Sequence, residues 1–229
     1  MRTLEQDLAA RCWRRLAGFT FFLAVLIFLP AGTLAYWQGW LFIAVFCGCC
    51  ALATLHMLKH DPALVARRME VGPKAEREPA QKRIQLWAGC VALTTCAISA
   101  FDHGRGWSQV SPAIVLIGDL LIVAAFLVMV RVFRENTFAA STVTVESGQR
   151  VISTGPYALV RHPMYSGALL MFLGAPLALA SWWGLLLFLP MLAILVARLL
   201  HEEQFLMRNL VGYGDYCARV RFRLIPGVW

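Results

Sequence analysis

The chain has 229 residues, of which 59% are hydrophobic and only 15% are charged, and its mean hydropathy is +0.65. This composition excludes an ordinary soluble domain and is typical of an integral membrane protein. The net charge of +8 does not call for a nucleic-acid partner, because membrane proteins carry Lys and Arg in loops that face anionic headgroups.

Six apolar stretches follow one another along the chain, each close to the ~20 residues that cross a bilayer as a helix. They are Leu16 to Tyr36, Trp40 to Leu58, Ile84 to Phe101, Pro112 to Val132, Pro163 to Ala180 and Trp182 to Leu199. The first stretch is longer than the ~7 to 15 apolar residues of a cleaved signal peptide, so we expect it to be retained. We therefore predict an all-α integral membrane protein with about six transmembrane helices.

Basic residues fall almost entirely on one side of this arrangement. The 21 Lys and Arg residues lie before the first span, between the second and third, around the connection of the fourth to the fifth, and towards and after the end of the sixth; only Arg105 lies on the other side. Because Lys and Arg accumulate in cytoplasmic loops, we predict a multi-pass protein with both termini in the cytoplasm.

The seven cysteines indicate neither a disulfide framework nor a metal centre. Five lie inside predicted spans and two on the reducing cytoplasmic side. The group Cys47-x-Cys49-Cys50 lies in an apolar run, and the nearest histidine, His56, is most of two helical turns away. Since free Cys commonly behaves as a small buried hydrophobe, we predict helix packing here and no metal site.

Little of the chain remains outside the bilayer, so we predict a single membrane domain over residues 1–229. Residues 59–83 are expected to form an interfacial amphipathic helix, with a lid over a site as the alternative. Alternation over Thr142 to Val145, a turn at residues 146–149 and the apolar pair Val151-Ile152 after it predict a short hairpin. The segment after Arg198 has helical spacing and predicts a long helix, interrupted near Gly212 and Gly214.

The turn before the fifth span carries a dense group of polar residues. Arg161 and His162 stand directly before Pro163, which suits the first turn of a helix because its missing N–H removes no bond. A helix N-terminus beside such side chains suits a carboxylate or a phosphate. An anchor at the membrane surface is the alternative, and the neighbouring Gly155-Pro156-Tyr157 and Tyr165 favour a site.

A second polar group follows the sixth span. Arg198 and Glu202 are four residues apart and can pair on one helix face, whereas for the adjacent Glu203 a solvated ion pair is an equal alternative. The fifth and sixth spans form a tight hairpin that starts and ends on the cytoplasmic side. We therefore predict that His162 lies near Glu202 and that the two segments form one charged pocket.

Asp119 is the one acidic residue deep in a predicted span. Intramembrane acids are costly and commonly functional, yet Asp119 lies towards the opposite membrane face from the pocket. We expect it to make an interhelical hydrogen bond.

Taken together, these residues resemble a known family. The ordered set is Asn136-Thr137-Phe138, Gly155-Pro156-Tyr157, Arg161-His162-Pro163-x-Tyr165-x-Gly167, Glu202-Glu203, Tyr213-x-x-Tyr216 and Arg221 to Pro226. It is similar to the integral-membrane methyltransferases, namely the isoprenylcysteine carboxyl methyltransferases and their phospholipid N-methyltransferase relatives. The resemblance covers roughly residues 131–226, whereas the amino-terminal half matches only in hydropathy.

The resemblance implies a catalytic, cofactor-binding half at residues 131–229, after amino-terminal helices in residues 1–130. S-adenosylmethionine would bind there, at the cytoplasmic face. The implied cofactor-binding residues are Tyr157, Arg161, His162, Pro163, Tyr165, Glu202, Glu203 and Tyr216. The implied catalytic residues are Arg198 and Glu202. No G-x-G-x-x-G segment follows a strand, so the cofactor would have to bind in the membrane-embedded fold itself.

Methyl transfer from a sulfonium is an in-line displacement that needs alignment and exclusion of water. A carboxylate acceptor, with a pKa near ~4, is already ionised at neutral pH and would need only a cation such as Arg198 or Arg134. An amine acceptor would need Glu202, Glu203 or His162 as a base. We expect O-methylation of a lipophilic carboxylate first, with phospholipid N-methylation as the alternative. The partners would be a lipophilic small molecule or prenylated acceptor and membrane lipids, without nucleic acid.

Two other classes of protein stay open. Membrane sterol reductases resemble the same carboxy-terminal region and use a nicotinamide cofactor, although those chains are typically larger and have more spans. A transporter or scaffold would carry charged or broken helices near the bilayer midplane, whereas the polar groups here gather at one face. The sequence indicates no particular oligomeric state.

Overall fold

A computed structural model describes residues 2–69, 79–138 and 148–229. These residues form α-helices, one 3-10 turn and connecting loops, with no β-strand among them. The helices are α1 (Arg2–Ala31), α2 (Trp37–His60), α3 (Pro62–Arg68), α4 (Pro79–Arg105), α5 (Pro112–Glu135), α6 (Pro163–Ala178), α7 (Trp182–Leu185), α8 (Phe188–Asn209) and α9 (Tyr213–Arg219). The all-α prediction is therefore confirmed for this part of the chain. The first arm of the predicted hairpin, Thr142 to Val145, lies outside the described residues, whereas Val151 and Ile152 of the second arm are described and form no strand.

Five segments are long and apolar enough to cross a membrane. They are Asp7–Ala31, Trp37–His60, Pro79–Arg105, Pro112–Glu135 and Trp182–Asn209. Each overlaps one of the six predicted spans. α6 has 16 residues and reaches only ~24 Å at ~1.5 Å per residue, less than the ~30 Å hydrocarbon core. Its crossing of the membrane stays a prediction, as does the cytoplasmic position of the termini.

The outer surface of these helices is strongly apolar. Phe21 and Leu29 lie on α1, Leu52 on α2 and Leu120 on α5, and each is at least 66% exposed. Soluble proteins rarely expose large apolar patches. Their exposure here, on helices of membrane-spanning length, supports a multi-pass membrane protein whose outer surface faces lipid.

α5 and α6 run antiparallel with their backbones almost in contact, and this fixes where α6 begins. A Cβ on Gly174 would lie 2.7 Å from the carbonyl oxygen of Gly118, and a Cβ on Gly118 would collide with the backbone of Ala178. Small residues permit this close approach between membrane helices. The contact places the N-terminus of α6 beside the C-terminal end of α5.

At the opposite end of the bundle, Asp102 joins α4 to the connection between α6 and α7. Its fully buried carboxylate accepts hydrogen bonds from the Ser108 backbone N–H at 2.8 Å, from the Ser108 hydroxyl at 2.6 Å and from the Ser181 hydroxyl. Ser181 also caps α7 by accepting the N–H of Gly184 at 2.8 Å. These bonds explain how so short a connection is held in place.

The hydrogen bond expected for Asp119 is not found among the described residues. Both of its carboxylate oxygens are buried, and neither has a hydrogen-bond partner among the described residues. The prediction failed because helix packing around Asp119 is apolar: its neighbour Gly118 contacts the backbone of α6, and Ile122 belongs to the central apolar core.

Part of the 59–83 segment is helical, as predicted. α3 begins after Asp61, whose carboxylate accepts the N–H of Leu64 at 2.8 Å. Leu64 is fully buried and packs against Val132 and Phe133 near the end of α5. Residues 70–78 lie outside the described part of the chain. α3 therefore covers the same end of α5 that borders the site described next.

Candidate active site

The loop that leads into α6 contains a tight turn at Gly155–Ala158. Gly155 has a φ of +55°, and a Cβ on it would lie 2.6 Å from the side chain of Glu135 at the end of α5. Glycine avoids both the strain and the collision. Glu135 also accepts a hydrogen bond from the Thr154 hydroxyl at 2.8 Å. The turn is thus held against α5.

The last residues of the chain pair with the start of α6. The N–H of His162 donates to the carbonyl oxygen of Arg223 at 2.9 Å, and the N–H of Arg161 donates to the carbonyl oxygen of Phe222 at 2.9 Å. The Ser166 hydroxyl donates to the carbonyl oxygen of Leu224 at 2.6 Å. This pairing brings Arg223 into the site from the far end of the sequence.

Glu203, on α8, is the centre of a charged cluster and is only 8% exposed. Its Oε1 lies 3.2 Å from Arg161 Nε and 3.2 Å from His162 Nε2, and its Oε2 accepts from Arg223 Nε at 2.9 Å. A buried carboxylate is stable only when it is paired in this way.

The predicted convergence of the start of α6 with the end of α8 is therefore confirmed, and His162 and Glu202 border the same open space. The direct contact of His162 is with Glu203, and Glu203 is buried, which excludes the solvated ion pair that was its alternative. Consecutive helical residues point roughly 100° apart at ~3.6 residues per turn, so only one of the two acids can face this cluster.

Glu202 belongs to a second chain of hydrogen bonds. The Tyr165 hydroxyl donates to Glu202 Oε2 at 2.6 Å and accepts from Arg198 Nε at 3.0 Å. Tyr165 therefore links the two residues that the resemblance marks as catalytic. Arg198 lies behind this tyrosine, whereas Glu202 borders the open space of the site.

α9 closes the site from the other side. Gly212, with a φ of +83°, allows the chain to turn after α8, so that α9 begins at Tyr213; the helix interruption predicted near Gly212 is confirmed. The Tyr216 hydroxyl donates to the carbonyl oxygen of Tyr157 at 2.8 Å, and the Asn136 amide donates to the Tyr157 hydroxyl at 3.0 Å. Tyr213 is only 4% exposed, and its buried hydroxyl has no partner among the described residues.

These elements enclose a cavity of about 800 Å³, including its open mouth. Charged side chains of both signs, Arg161 and Glu202, face it, together with the tyrosines of the turn and of α9. Leu206 and Leu210 supply an apolar wall. The cavity therefore combines apolar surface with a few convergent polar groups, as small-molecule sites do.

Burial keeps the phenols outside the membrane spans in their neutral, hydrogen-donating form. It raises the pKa of Tyr157 to about 12, although the hydrogen bond from Asn136 opposes the shift. Burial likewise raises the pKa of both Tyr213 and Tyr216 above the ordinary range. Burial lowers the pKa of Arg68 to about 10, against the opposing effect of Tyr157, so its guanidinium, which lies 4.2 Å over the Phe133 ring, stays charged at neutral pH.

Most of the side chains that the sequence singled out meet in this one place. The cavity is lined by Tyr157, Arg161, His162, Pro163, Tyr165, Glu202 and Tyr216. Arg198 and Glu203 stand behind that lining and hold it. Arg223 and Tyr213 were missed as site residues, although both lie in quoted motifs, because a motif does not tell which of its side chains turns inwards.

The fold and the site together define a multi-pass helical membrane protein with a polar cavity where α5 and α8 end and α6 begins. Within this class, residues 113–212 match the sequence model of the phospholipid methyltransferase family. The match runs from α5 to the end of α8, and it confirms over this segment the membrane-methyltransferase resemblance seen in the motifs. Tyr213, Tyr216 and Arg223 lie just beyond it.

The chain is also similar to a curated protein of another enzyme class. It is 33% identical over 108 residues to the Delta(14)-sterol reductase TM7SF2 of Mus musculus, which amounts to 42% of this chain and 25% of that protein. The chain thus spans about a quarter of the length of the curated relative it matches.

Proposed function

We propose that this chain transfers a methyl group from S-adenosylmethionine to a lipophilic acceptor at the membrane surface. The observation that carries the proposal is the polar cavity between the start of α6 and the end of α8, because both helices lie in the segment that matches the methyltransferase family. The sterol reductase match covers only part of the chain and makes a nicotinamide-dependent reduction the second candidate.

The residues around the cavity fit this cofactor. Arg161 and Glu202 offer one charge of each sign to a molecule with a carboxylate and an amino group, and Leu206 and Leu210 offer an apolar surface to its purine. The buried Tyr213 hydroxyl lacks a partner among the described residues, and a bound ligand would satisfy it.

Arg161 and His162 would bind the carboxylate end of the cofactor, and Glu203 would act as the positioning residue that holds them. Its contacts at 3.2 Å fix the Arg161 guanidinium and the His162 ring before any ligand arrives. Such pre-organisation lowers the ordering cost of binding. When bound, S-adenosylmethionine would supply a methyl group on a positively charged sulfur.

Glu202 would face the ligand with the oxygen that Tyr165 leaves unused. Tyr165 engages Oε2, which leaves Oε1 for a ribose hydroxyl or an amino group. If the acceptor were an amine, Glu202 would also be the better base than Glu203, because Glu203 is held by three basic side chains. A base must reach the proton that it removes, and Glu202 lines the cavity.

A carboxylate acceptor needs a cation instead of a base, since it is ionised at neutral pH. Arg198 reaches the site through Tyr165 at 3.0 Å, whereas Arg134 borders a different groove, on the far side of the turn at Gly155–Ala158. We therefore favour Arg198 over Arg134 as the group that would orient a carboxylate. O-methylation of a lipophilic carboxylate remains the first proposal for the reaction.

The direct test is methyl transfer by the purified protein in lipid nanodiscs, with S-adenosylmethionine labelled in its methyl group. A prenylated cysteine and an aminophospholipid would be supplied separately as acceptors. Label that base hydrolysis releases as methanol identifies an ester, and base-stable label in the lipid identifies an N-methyl product. Glu202→Gln should lose activity while the exposed neighbour Gln204→Ala keeps it. No label in either acceptor, together with sterol reduction by NADPH, would favour the second candidate.

A further inference from the structure

A stripe of exposed side chains runs along α5 and ends in two arginines. Leu116, Leu120 and Leu127 are between 51% and 66% exposed, and Arg131 and Arg134 follow at the end of the helix, both exposed. The spacings of four, seven, four and three residues place all five on one helix face. Apolar surface along the helix thus leads directly to two cations.

The arginines stand in a groove rather than on an open surface. Arg131, Arg134, Leu127 and Val128 form one wall, and Gly155, Pro156 and Leu159 form the other. The space between the walls is about 1480 Å³, much of it open to the surroundings. Leu159 is 63% exposed, so both walls present apolar side chains beside the charges. The candidate active site lies on the other side of the turn, where Tyr157 lines it.

The charges in the groove favour an anion. Glu135 also lines it, but one of its oxygens already accepts the Thr154 hydroxyl at 2.8 Å. Within the described part of the chain, no hydrogen bond or ion pair is found for Arg131 or Arg134. Two arginines and one glutamate leave a net charge of +1, and guanidinium groups bind phosphate oxygens in a bidentate manner.

We propose that this groove binds one anionic phospholipid, with its phosphate on Arg131 and Arg134 and an acyl chain along Leu127 and Leu159. Basic pockets at the ends of membrane helices bind anionic headgroups in this way. The bound lipid would brace the turn at Gly155–Ala158, whose other face carries Tyr157. The site is separate from the proposed methyl-transfer site and does not depend on it.

The competing explanation is that both arginines extend into the headgroup layer without selecting any lipid molecule. The two explanations differ in stoichiometry and in selectivity. A built site retains one lipid through purification and prefers a net negative headgroup, whereas general contact with headgroups retains none after delipidation.

The test is native mass spectrometry of the full chain, released from detergent after exposure to equal amounts of phosphatidylglycerol and phosphatidylcholine. The expected result is one retained phosphatidylglycerol per chain. Arg131→Gln with Arg134→Gln should lower that retention roughly tenfold, as expected for loss of charge-assisted bonds. The matched control is Arg208→Gln with Arg221→Gln, which removes the same charge from exposed positions outside the groove and should retain the lipid.

Three outcomes would overturn the proposal. They are retention of no lipid by the unaltered protein, equal retention of both lipids, and equal loss in the control variant. Thermal unfolding of all three proteins without lipid would check that the substitutions leave the fold intact. Leu159→Asp gives a second test, because a negative charge opposite the arginines should also expel the anionic lipid while both arginines remain.

Discussion

Each end of the helix bundle has a buried carboxylate at its centre, but the two serve different purposes. Asp102 accepts hydrogen bonds from two neighbouring serines and a backbone N–H, all supplied by short connections that it ties together. Glu203 holds Arg161, His162 and Arg223, and two of these line an open cavity. The polar groups that contact Asp102 bind one another, whereas at the Glu203 end several are left facing space that a ligand can fill.

The physical difference between the two ends is whether an unpartnered polar group faces open space. The buried Ser99 hydroxyl, one turn from Asp102, also has no partner among the described residues, but it does not line the cavity. Buried polar groups are normally satisfied within the protein. At the cavity, the Tyr213 hydroxyl is buried without a partner among the described residues, and Arg161 and Glu202 face the same space. Substitution of Asp102 should therefore lower stability alone, whereas substitutions around the cavity should lower ligand binding, with or without a loss of stability.

The largest effect is expected for Glu203→Gln, which keeps the shape of the side chain but removes its charge. Arg161 and Arg223 would then be left buried or half-buried without their counter-charge, and breaking a buried pair commonly costs about 3 to 5 kcal/mol. Affinity for S-adenosylmethionine should fall by about 100-fold or more, since ~1.4 kcal/mol corresponds to tenfold. Calorimetry on the folded variant measures this. An affinity equal to that of the unaltered protein would refute the positioning role of Glu203.

Asp102→Asn should instead lower stability and leave ligand affinity intact. The amide can accept fewer of the three hydrogen bonds, and bonds to a charged group contribute about 1.5 to 3 kcal/mol each. The midpoint of thermal unfolding in detergent should fall clearly. If affinity for the cofactor fell as well, at a temperature where the variant is folded, the two ends of the bundle would be coupled and the contrast drawn above would fail.

Gly155→Ala should impair binding through the turn that carries Tyr157. The new Cβ combines a φ of +55° with a contact of 2.6 Å to Glu135. Gly148→Ala is the matched control, because Gly148 has a φ of +76° but no atom of the described residues within 4 Å of the new Cβ. We expect about a tenfold loss of affinity for Gly155→Ala, corresponding to roughly 1.4 kcal/mol, and little change for the control. Equal losses of affinity in the two variants would show that backbone strain, and not the collision with Glu135, causes the effect.

The smallest effect is expected for Tyr213→Phe, which removes only the hydroxyl without a described partner. Stability should stay the same, while cofactor affinity should fall by about fivefold, because one hydrogen bond contributes roughly 1 kcal/mol. Tyr216→Phe is the opposite case, since its hydroxyl already donates to the Tyr157 carbonyl at 2.8 Å. That variant should lose stability. Unchanged cofactor affinity in Tyr213→Phe would remove Tyr213 from the site.

Hydropathy and charge predicted the helical membrane fold, because lipid imposes a length and an apolar surface on each spanning helix. Motif spacing predicted that Arg161 and His162 would meet the end of α8, because a tight hairpin returns the chain to the same depth. The sequence could not tell which of Glu202 and Glu203 contacts Arg161 and His162, since that depends on the rotation of α8 about its axis. It also could not place Arg223, which reaches Glu203 through backbone pairing of an irregular segment.

The sequence could not predict the Asp102 cluster for a similar reason. Ser181 lies 79 positions from Asp102, and nothing in either local pattern marks them as neighbours. Asp119 shows the reverse failure: a single intramembrane acid predicted a hydrogen bond, and the apolar packing around it supplies none among the described residues. Pairwise contacts between distant polar residues are set by tertiary packing, which local periodicity does not encode.

Calorimetric titration of the purified protein in detergent with S-adenosylmethionine and, in parallel, with NADPH measures which cofactor the cavity binds. Saturable binding of S-adenosylmethionine alone, lost in Glu203→Gln, is the predicted result. Binding of NADPH alone would contradict it and favour the reductase alternative. Binding of neither by a demonstrably folded sample would contradict a cofactor site in this cavity altogether.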